Sequence, residues 1–295
     1  MTSLNKQRLK VVFLGNHNVG IEALKALKDA CDVCGVVAHP LDAEEGVVYA
    51  SLADFSRAAD IPVIRGKASD PEVFNFIKKF NPDLIWITDY KFLVPKELIA
   101  LAPKGCINLH PSLLPKYRGR APINWAIIHG EKEVGLTAHF VDEGVDTGPI
   151  IEQEQVTVSD EEYIGDILNK LYPIYYSLSE KVLRQITDGT ADPKPQDITN
   201  SKIYPRRKPE DGKIDWSKSA QEIRNLVRAV SKPYPGAFFF YEGKKYTVWR
   251  CQIEPLPLDT KTMGIDNGTI VSSDSNSIKI KCSDALICCT DFETA

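Results

Sequence analysis

Two side chains suited to acyl chemistry stand two residues apart in Asn108-Leu-His110. They close an apolar stretch, 106–109, that reads as a strand, and residues two apart on a strand project from the same face. An asparagine amide can donate a hydrogen bond to an oxygen that is gaining negative charge, and an imidazole can move a proton near neutral pH. Further on, Asp142-Glu-Gly-Val-Asp-Thr-Gly148 forms a glycine-rich loop after a strand expected at 135–141. A carboxylate from that loop, Asp146, could orient the imidazole and stabilise its protonated form, as in triads. Alone, His110 reads equally well as a structural histidine and Asp146 as a turn residue. The combination is far more specific than its members.

Other patterns carry less. Phe13-Leu-Gly-Asn-His-Asn-Val-Gly20 sets a glycine-containing turn between a first strand and a first helix, where a nucleotide fingerprint would lie. The G-x-G-x-x-G pattern is missing, which argues against dinucleotide binding, although the helix N-terminus could hold another anion or polar ligand. Cys31-Asp-Val-Cys34 has redox or zinc spacing but lacks a second pair or a nearby histidine, and it sits in an alternating, strand-like run. Buried thiols are the simpler reading.

The elements that must position these residues alternate through the first ~150 positions. Strands are expected at 10–14, 33–38, 61–64, 83–88 and 106–109, with helical stripes on Ile21, Leu24 and Leu27, on Leu52, Phe55 and Ala58, and at 71–80 and 95–101. Repeated βα units of this length predict an α/β fold, a doubly wound parallel sheet with helices on both faces, and ligands bind at the carboxyl ends of such strands. One amphipathic helix is expected at 163–186, with Pro173 kinking it or marking a break. A polar, proline-rich stretch at 188–195 is the linker candidate. Beyond it come a helix at 220–230 and five short strands at 237–241, 245–254, 268–272, 277–281 and 286–290. They predict a small antiparallel β-barrel, OB-like in character. The expected domains are 1–197, which carries the chemistry, and 204–295.

With 295 residues, 43% hydrophobic and 26% charged, the chain can bury a sizeable core and is neither disordered nor dependent on disulfides. A net charge of -4 gives no pull toward nucleic acid or anionic membrane. No apolar run reaches the roughly 7–15 residues of a signal peptide or the ~20 of a spanning helix. A cytoplasmic protein with no membrane partner and reduced thiols is expected.

The residues around His110 carry a resemblance. The chain, from about Val11 to Trp249, resembles the folate-dependent formyltransferases, whose signature is Asn108-Leu-His-Pro-Ser-Leu-Leu-Pro115 with the later Asp146. Their shared core is Rossmann-like, and a formyl-transferring domain followed by a small barrel is similar to the methionyl-tRNA and sugar-nucleotide branches. The resemblance implies transfer of a formyl group from N10-formyltetrahydrofolate to an amine through a tetrahedral species, with no metal. Asn108, His110 and Asp146 would be catalytic: the first two stabilise the oxygen, and Asp146 holds His110 in a useful protonation state. It places the folate cosubstrate at Phe92, Leu93 and Val94, at Ser112, Leu113 and Leu114, at Arg120, and along Asp142, Glu143, Gly144 and Val145.

The accepting amine is either the aminoacyl end of initiator tRNA or an amino sugar linked to UDP or dTDP. In methionyl-tRNA formyltransferases a basic insertion follows the second strand. The matching stretch here, 38–60, holds Asp42, Glu44, Glu45, Asp54 and Asp60 against Arg57 alone, which would repel an acceptor stem. Tyr204-Pro-Arg-Arg-Lys-Pro-Glu-Asp-Gly-Lys-Ile-Asp-Trp216 looks like the formyltransferase domain acting on UDP-4-amino-4-deoxy-L-arabinose. Arg206 or Arg207 could grip a pyrophosphate, or form only a solvated basic linker. The expectation is a sugar-nucleotide N-formyltransferase serving surface polysaccharide synthesis; methionyl-tRNA formyltransferase is the alternative. The C-terminal domain would contact the acceptor or pair two chains into a homodimer.

Overall fold

The computed structural model describes residues 8–40, 50–257 and 264–294. Asp42, Glu44 and Glu45, counted above against a tRNA acceptor, lie outside the described residues. In chain order the first elements are β1 (Lys10–Gly15), α1 (His17–Ala30), β2 (Asp32–Ala38), α2 (Leu52–Ala58), β3 (Val63–Arg65), α3 (Pro71–Lys78) and β4 (Leu84–Thr88). Next come α4 (Lys96–Ile99), β5 (Cys106–His110), β6 (Arg118–Gly119), α5 (Pro122–Ile128), β7 (Glu133–Phe140) and β8 (Ile150–Thr157). Then follow α6 (Ile164–Asp188), β9 (Ile203–Tyr204) and α7 (Ala220–Val230). The last strands are β10 (Ala237–Tyr241), β11 (Lys244–Glu254), β12 (Ile270–Ser273), β13 (Ile278–Lys281) and β14 (Leu286–Thr294).

The chain divides into two compact units. The first takes the chain up to Arg118 together with Gly135–Val156 and Lys170–Ile203. The second takes Gly119–Val134, Thr157–Asn169 and the chain from Tyr204.

In the first unit a sheet runs in the order β3-β2-β1-β4-β5-β7-β8. β1 to β5 are parallel, as the alternating pattern predicts, whereas β7 lies antiparallel to β5. The doubly wound parallel core is present as expected, and β7 and the strand beyond it extend it into a mixed sheet. Every residue of β4 is buried, the mark of a strand covered on both faces. Val12, Leu14, Val37, Ile85 and Ile87 meet Ile77 of α3 and Leu98 in one buried cluster. Each such side chain contributes on the order of 1.5–3 kcal/mol on burial. Pro71 occupies the first turn of α3, where its missing N–H costs nothing. α6 continues through Pro173 as one helix of 25 residues, so of the two expectations for Pro173 a break is excluded.

Cys31 and Cys34 flank the start of β2, where their thiols donate to the Leu27 and Val11 carbonyls. Burial pushes Cys31 up to about 12 and Cys34 up to about 11, the behaviour of packing thiols rather than reactive ones.

In the second unit the C-terminal strands form an antiparallel sheet in the order β10-β11-β14-β13-β12. Among the described residues β10 and β12 remain edges, so the expected barrel is an open, curled half-barrel. Register shifts in β11 and β12 supply extra local twist. α7 begins with a capping box between Ser219 and Glu222 and packs on α5, whose Asn124 donates to the Ala229 carbonyl at 2.7 Å.

Candidate active site

β5 ends at the carboxyl side of the parallel strands and carries Asn108 and His110 on one face. The antiparallel register of β7 sets His139 opposite Asn108 and Thr137 opposite His110. Directly paired residues share a face, so β7 adds a second imidazole and a hydroxyl to the site. The loop after β7 returns Asp146 to the same place. Its Oδ2 lies 3.6 Å from His110 Nδ1, and its Oδ1 is 3.5 Å from Asn108 Nδ2 and 3.7 Å from His139 Nε2. The structure thus assembles the three residues expected from the sequence.

That loop is tightly held. Asp142 Oδ1 accepts from the Gly144 N–H at 3.0 Å and from the Thr147 hydroxyl at 2.6 Å. A Cβ at Gly148 would stand 1.8 Å from the Phe140 carbonyl oxygen, so only glycine permits this approach. Gln196, directly after the proline-rich stretch, donates to the Asp146 and Gly148 carbonyls at 3.1 and 2.6 Å. Asp146 itself adopts φ +52°, a left-handed conformation that costs a non-glycine residue about 1–2 kcal/mol.

His110 is 5% exposed. Its Nε2 lies 2.9 Å from the Tyr117 carbonyl oxygen. A carbonyl only accepts, so Nε2 carries a hydrogen, and Nδ1, facing Asp146, is the nitrogen that takes up or releases a proton. Burial pushes the imidazole below its ordinary value; the Asp146 carboxylate and the Tyr117 carbonyl oppose that shift, and His139 adds to it. The resting group is therefore neutral at neutral pH. It is a base, and protonation at Nδ1 creates an ion pair with Asp146.

Thr137, fully buried, ties down the loop after His110. Its hydroxyl donates to the Ser112 carbonyl at 2.6 Å and accepts from the Leu114 N–H at 3.2 Å and from Gln153 at 2.8 Å. Ser112 donates to the Lys116 carbonyl, and Leu114 is buried while its carbonyl accepts from Gln153. Leu113 fits against Gly135. Ser112 and Leu114 thus build the loop wall rather than offer free polar groups.

The other expected positions scatter. Phe92 is half-buried beside His39 and Tyr90, with the Lys67 and Lys91 ammonium groups 5.9 and 5.6 Å from its ring centroid. Leu93 is 78% exposed, and Val94 packs against the core cluster. Asp142, Glu143 and Gly144 are exposed, and Val145 is half-buried. Arg120 belongs to the second compact unit, where its N–H donates to the Tyr204 carbonyl.

Also in the second unit, Arg206 is exposed, whereas the Arg207 guanidinium lies 4.8 Å from the Trp125 ring centroid and donates to the Asp211 carbonyl at 2.7 Å. Arg207 lines a cleft of about 920 Å³ together with His129, Lys132, Lys213, Lys218 and Asn225.

Sequence reasoning missed His139, Thr137, Gln153 and Gln196. The alternation of β7 signalled a strand, but its register against β5 is a long-range fact that no local pattern carries. Among the described residues no helix is long and apolar enough to cross a membrane, and no cluster of three or more His, Cys, Asp or Glu side chains could hold a metal ion.

Comparison with known proteins agrees with this architecture. The formyl transferase family model matches residues 9–177, and the model of the formyl transferase C-terminal domain matches 206–295. The methionyl-tRNA formyltransferase of Acetivibrio thermocellus is 34% identical over 280 residues, covering 93% of this chain and 88% of that one. The N-formyltransferase from Helicobacter canadensis, solved with folinic acid and dTDP-3-aminofucose, superposes with a TM-score of 0.73 at 19% identity, over 97% of this chain and 100% of that one. WlaRD, a sugar 3N-formyl transferase solved with dTDP and 5-N-formyl-THF, gives a TM-score of 0.70 at 18% identity, over 96% of this chain and 97% of that one. A family model spanning more than half of the sequence, and a relative aligned along nearly all of it, place the chain in the formyl transferase family.

Proposed function

We propose that this enzyme transfers a formyl group from an N10-formylated tetrahydrofolate to the amine of a nucleotide-linked amino sugar. The observation that carries the choice of acceptor is Arg207. Its guanidinium is held half-buried over Trp125, in a cleft lined by Lys132, Lys213 and Lys218 and by the carboxylates of Asp215 and Glu222. A fixed planar fork suits a diphosphate better than a flexible surface arginine would. Two fold neighbours, solved with dTDP or a dTDP-amino sugar, support the same reading.

The Phe92 region fits a folate. A half-buried aromatic face with two lysines beside it offers a stacking surface and partners for a carboxylate tail. Bound there, the folate supplies the one-carbon unit. His110 Nδ1 accepts a proton from the attacking amine, and Asp146 stabilises the resulting imidazolium. Asn108 donates to the oxygen that becomes negative as the amine attacks. Collapse of the tetrahedral species breaks the bond between the formyl carbon and N10, and the His110 imidazolium returns its proton to the departing folate nitrogen.

A second reading, methionyl-tRNA as acceptor, is favoured by the 34% identity to a methionyl-tRNA formyltransferase. The deciding experiment incubates purified protein with the formyl donor and UDP- and dTDP-linked amino sugars, methionyl-tRNA, or no acceptor, and weighs the products by mass spectrometry. Formylation of methionyl-tRNA faster than of every sugar installs the second reading. Formate release independent of acceptor removes both.

A further inference from the structure

On the flank of β5 away from β7, the carboxyl ends of β1 and β4 carry a second polar cluster, within the same compact unit. His17, the first residue of α1, donates from Nδ1 to Asp89 Oδ2 at 2.7 Å. Its Nε2 lies 3.1 Å from the Asn16 amide, which also meets His39 Nδ1 at 3.0 Å. Both ring nitrogens of His17 are committed, and this fixes the carboxylate it holds. Among the described residues the other Asp89 oxygen makes no hydrogen bond.

Stability does not account for this pair. The His17 and Asp89 side chains are 27% and 42% exposed, and an exposed ion pair contributes little. Three local choices run against stability to build it. His17 and Asp89 adopt φ +53° and +56°, left-handed backbone that costs a non-glycine residue free energy. Asn16, 1% exposed, is the N-cap of α1 yet makes no side-chain cap hydrogen bond. Its amide turns to the two histidines instead, and its other polar atom stays buried without a partner. Strain of this kind gathers where a fixed geometry serves function.

Position and charge indicate what binds. Thr88 pairs with Leu109 of β5, so Asp89, one residue on, stands level with His110. Neighbouring strands are about 4.8 Å apart, and ligands bind at this end of such a sheet. The Asp89 charge adds to the burial that raises the titration of half-buried Tyr172, so α6 brings a phenol to the same place. Formyl transfer to an amine brings one cation here, the acceptor's ammonium. The pterin is neutral, and the folate tail and a diphosphate are anions. A carboxylate attracts the first and repels the last two.

We propose that Asp89, fixed by His17, is the subsite that receives the acceptor's amine. The proposal deepens the formyl-transfer reading and rests on it, but not on the choice between sugar and tRNA. The bound ammonium loses one proton to water before attack, and His110 takes the second as the C–N bond forms.

Asp89→Asn removes the charge, keeps the shape and tolerates the left-handed backbone. In the full-length protein, assayed with UDP- and dTDP-linked amino sugars and methionyl-tRNA, it should raise the KM of the formylated acceptor roughly tenfold to a hundredfold, the scale of a lost charge-assisted hydrogen bond. Folate KM and Tm should hardly move. The specific readout is preference for the amine, measured by calorimetric titration. The wild-type protein should bind the amino sugar roughly tenfold tighter than the nucleotide sugar with a hydroxyl at that carbon, and Asp89→Asn should erase the difference. For methionyl-tRNA the comparison is tRNA charged with the 2-hydroxy analogue of methionine. His17→Phe should cost about as much as Asp89→Asn, and the double variant little more. An unchanged acceptor KM in Asp89→Asn, or equal weakening of the amino and hydroxyl forms, overturns the subsite. Full multiplication of the two losses overturns the positioning by His17. Lost amine preference in a protein that formylates only methionyl-tRNA upholds the subsite and removes the sugar reading. A protein that formylates no amine removes the formyl-transfer reading and the subsite with it.

Discussion

At the scale of single residues, burial and a carboxylate pull His110 in opposite directions. Burial favours the neutral imidazole, and Asp146 makes the protonated form attainable when a proton arrives. Replacing His110 with Asn should therefore lower kcat by about 10²–10⁴ with little effect on folate KM, measured by steady-state kinetics. Near-normal turnover would return His110 to a structural role. The depressed titration of His110 also fixes the sign of a pH effect. Protonating it in the folded state costs free energy, so its unfavourable contribution is absent above the ordinary imidazole value near 6.5 and grows as pH falls below that value. Asp146→Asn removes the carboxylate that raises this titration. The acid limb of kcat/KM should move to lower pH while kcat drops. A limb that stays in place, checked by NMR titration of the His110 ring, would uncouple the two residues.

At the scale of elements, the site is a strand end, an opposing strand and a clamped loop. Gln196 holds two carbonyls of that loop and touches none of the three expected catalytic side chains in the hydrogen bonds described. Gln196→Ala should free the Asp146 carbonyl and lower kcat by roughly tenfold, the scale for a displaced supporting contact, while Tm falls only a little. Gly148→Ala should be harsher. A Cβ 1.8 Å from the Phe140 carbonyl cannot be tolerated without moving the loop, so loss of activity should come with a lower Tm. Wild-type kcat in the folded Gly148→Ala protein would mean that the position of Asp146 is not critical.

At the scale of the whole molecule, the Arg207 cleft and the packing of α5 on α7 make separate claims. Arg207→Ala should raise the acceptor KM by roughly ten- to a hundredfold, corresponding to about 1.5–3 kcal/mol for a charge-assisted hydrogen bond, and leave folate KM unchanged. A tRNA acceptor would instead make activity fall roughly tenfold or more between about 50 and 200 mM salt, because many phosphates would be neutralised. The expected salt dependence is shallow. A fragment ending at Asp197 keeps α5 but loses α7, the helix whose Ala229 carbonyl accepts from Asn124. Such a fragment should be poorly soluble; a monodisperse one binding folate as tightly as the full chain would show that α5 needs no such cover.

The sequence by itself determined the βα alternation up to β5, the position of α7, the five C-terminal strands and the Asn108-x-His110 pair. Each of these rests on local periodicity or on spacing within a strand. Helix α5 and strand β8 escaped it because their apolar residues follow no clear period over so few positions. The tertiary structure decided what periodicity cannot encode. It set β7 antiparallel to β5 and placed His139 and Thr137 on the face of Asn108 and His110. It set Gln196, just past the segment that reads as a linker, as the clamp on Asp146, and left the described C-terminal sheet open between β10 and β12. Register and long-range hydrogen bonds depend on partners far away in the chain, so the candidate pair Asn108 and His110 was legible in the sequence, whereas its neighbours His139 and Gln196 became visible only in the fold.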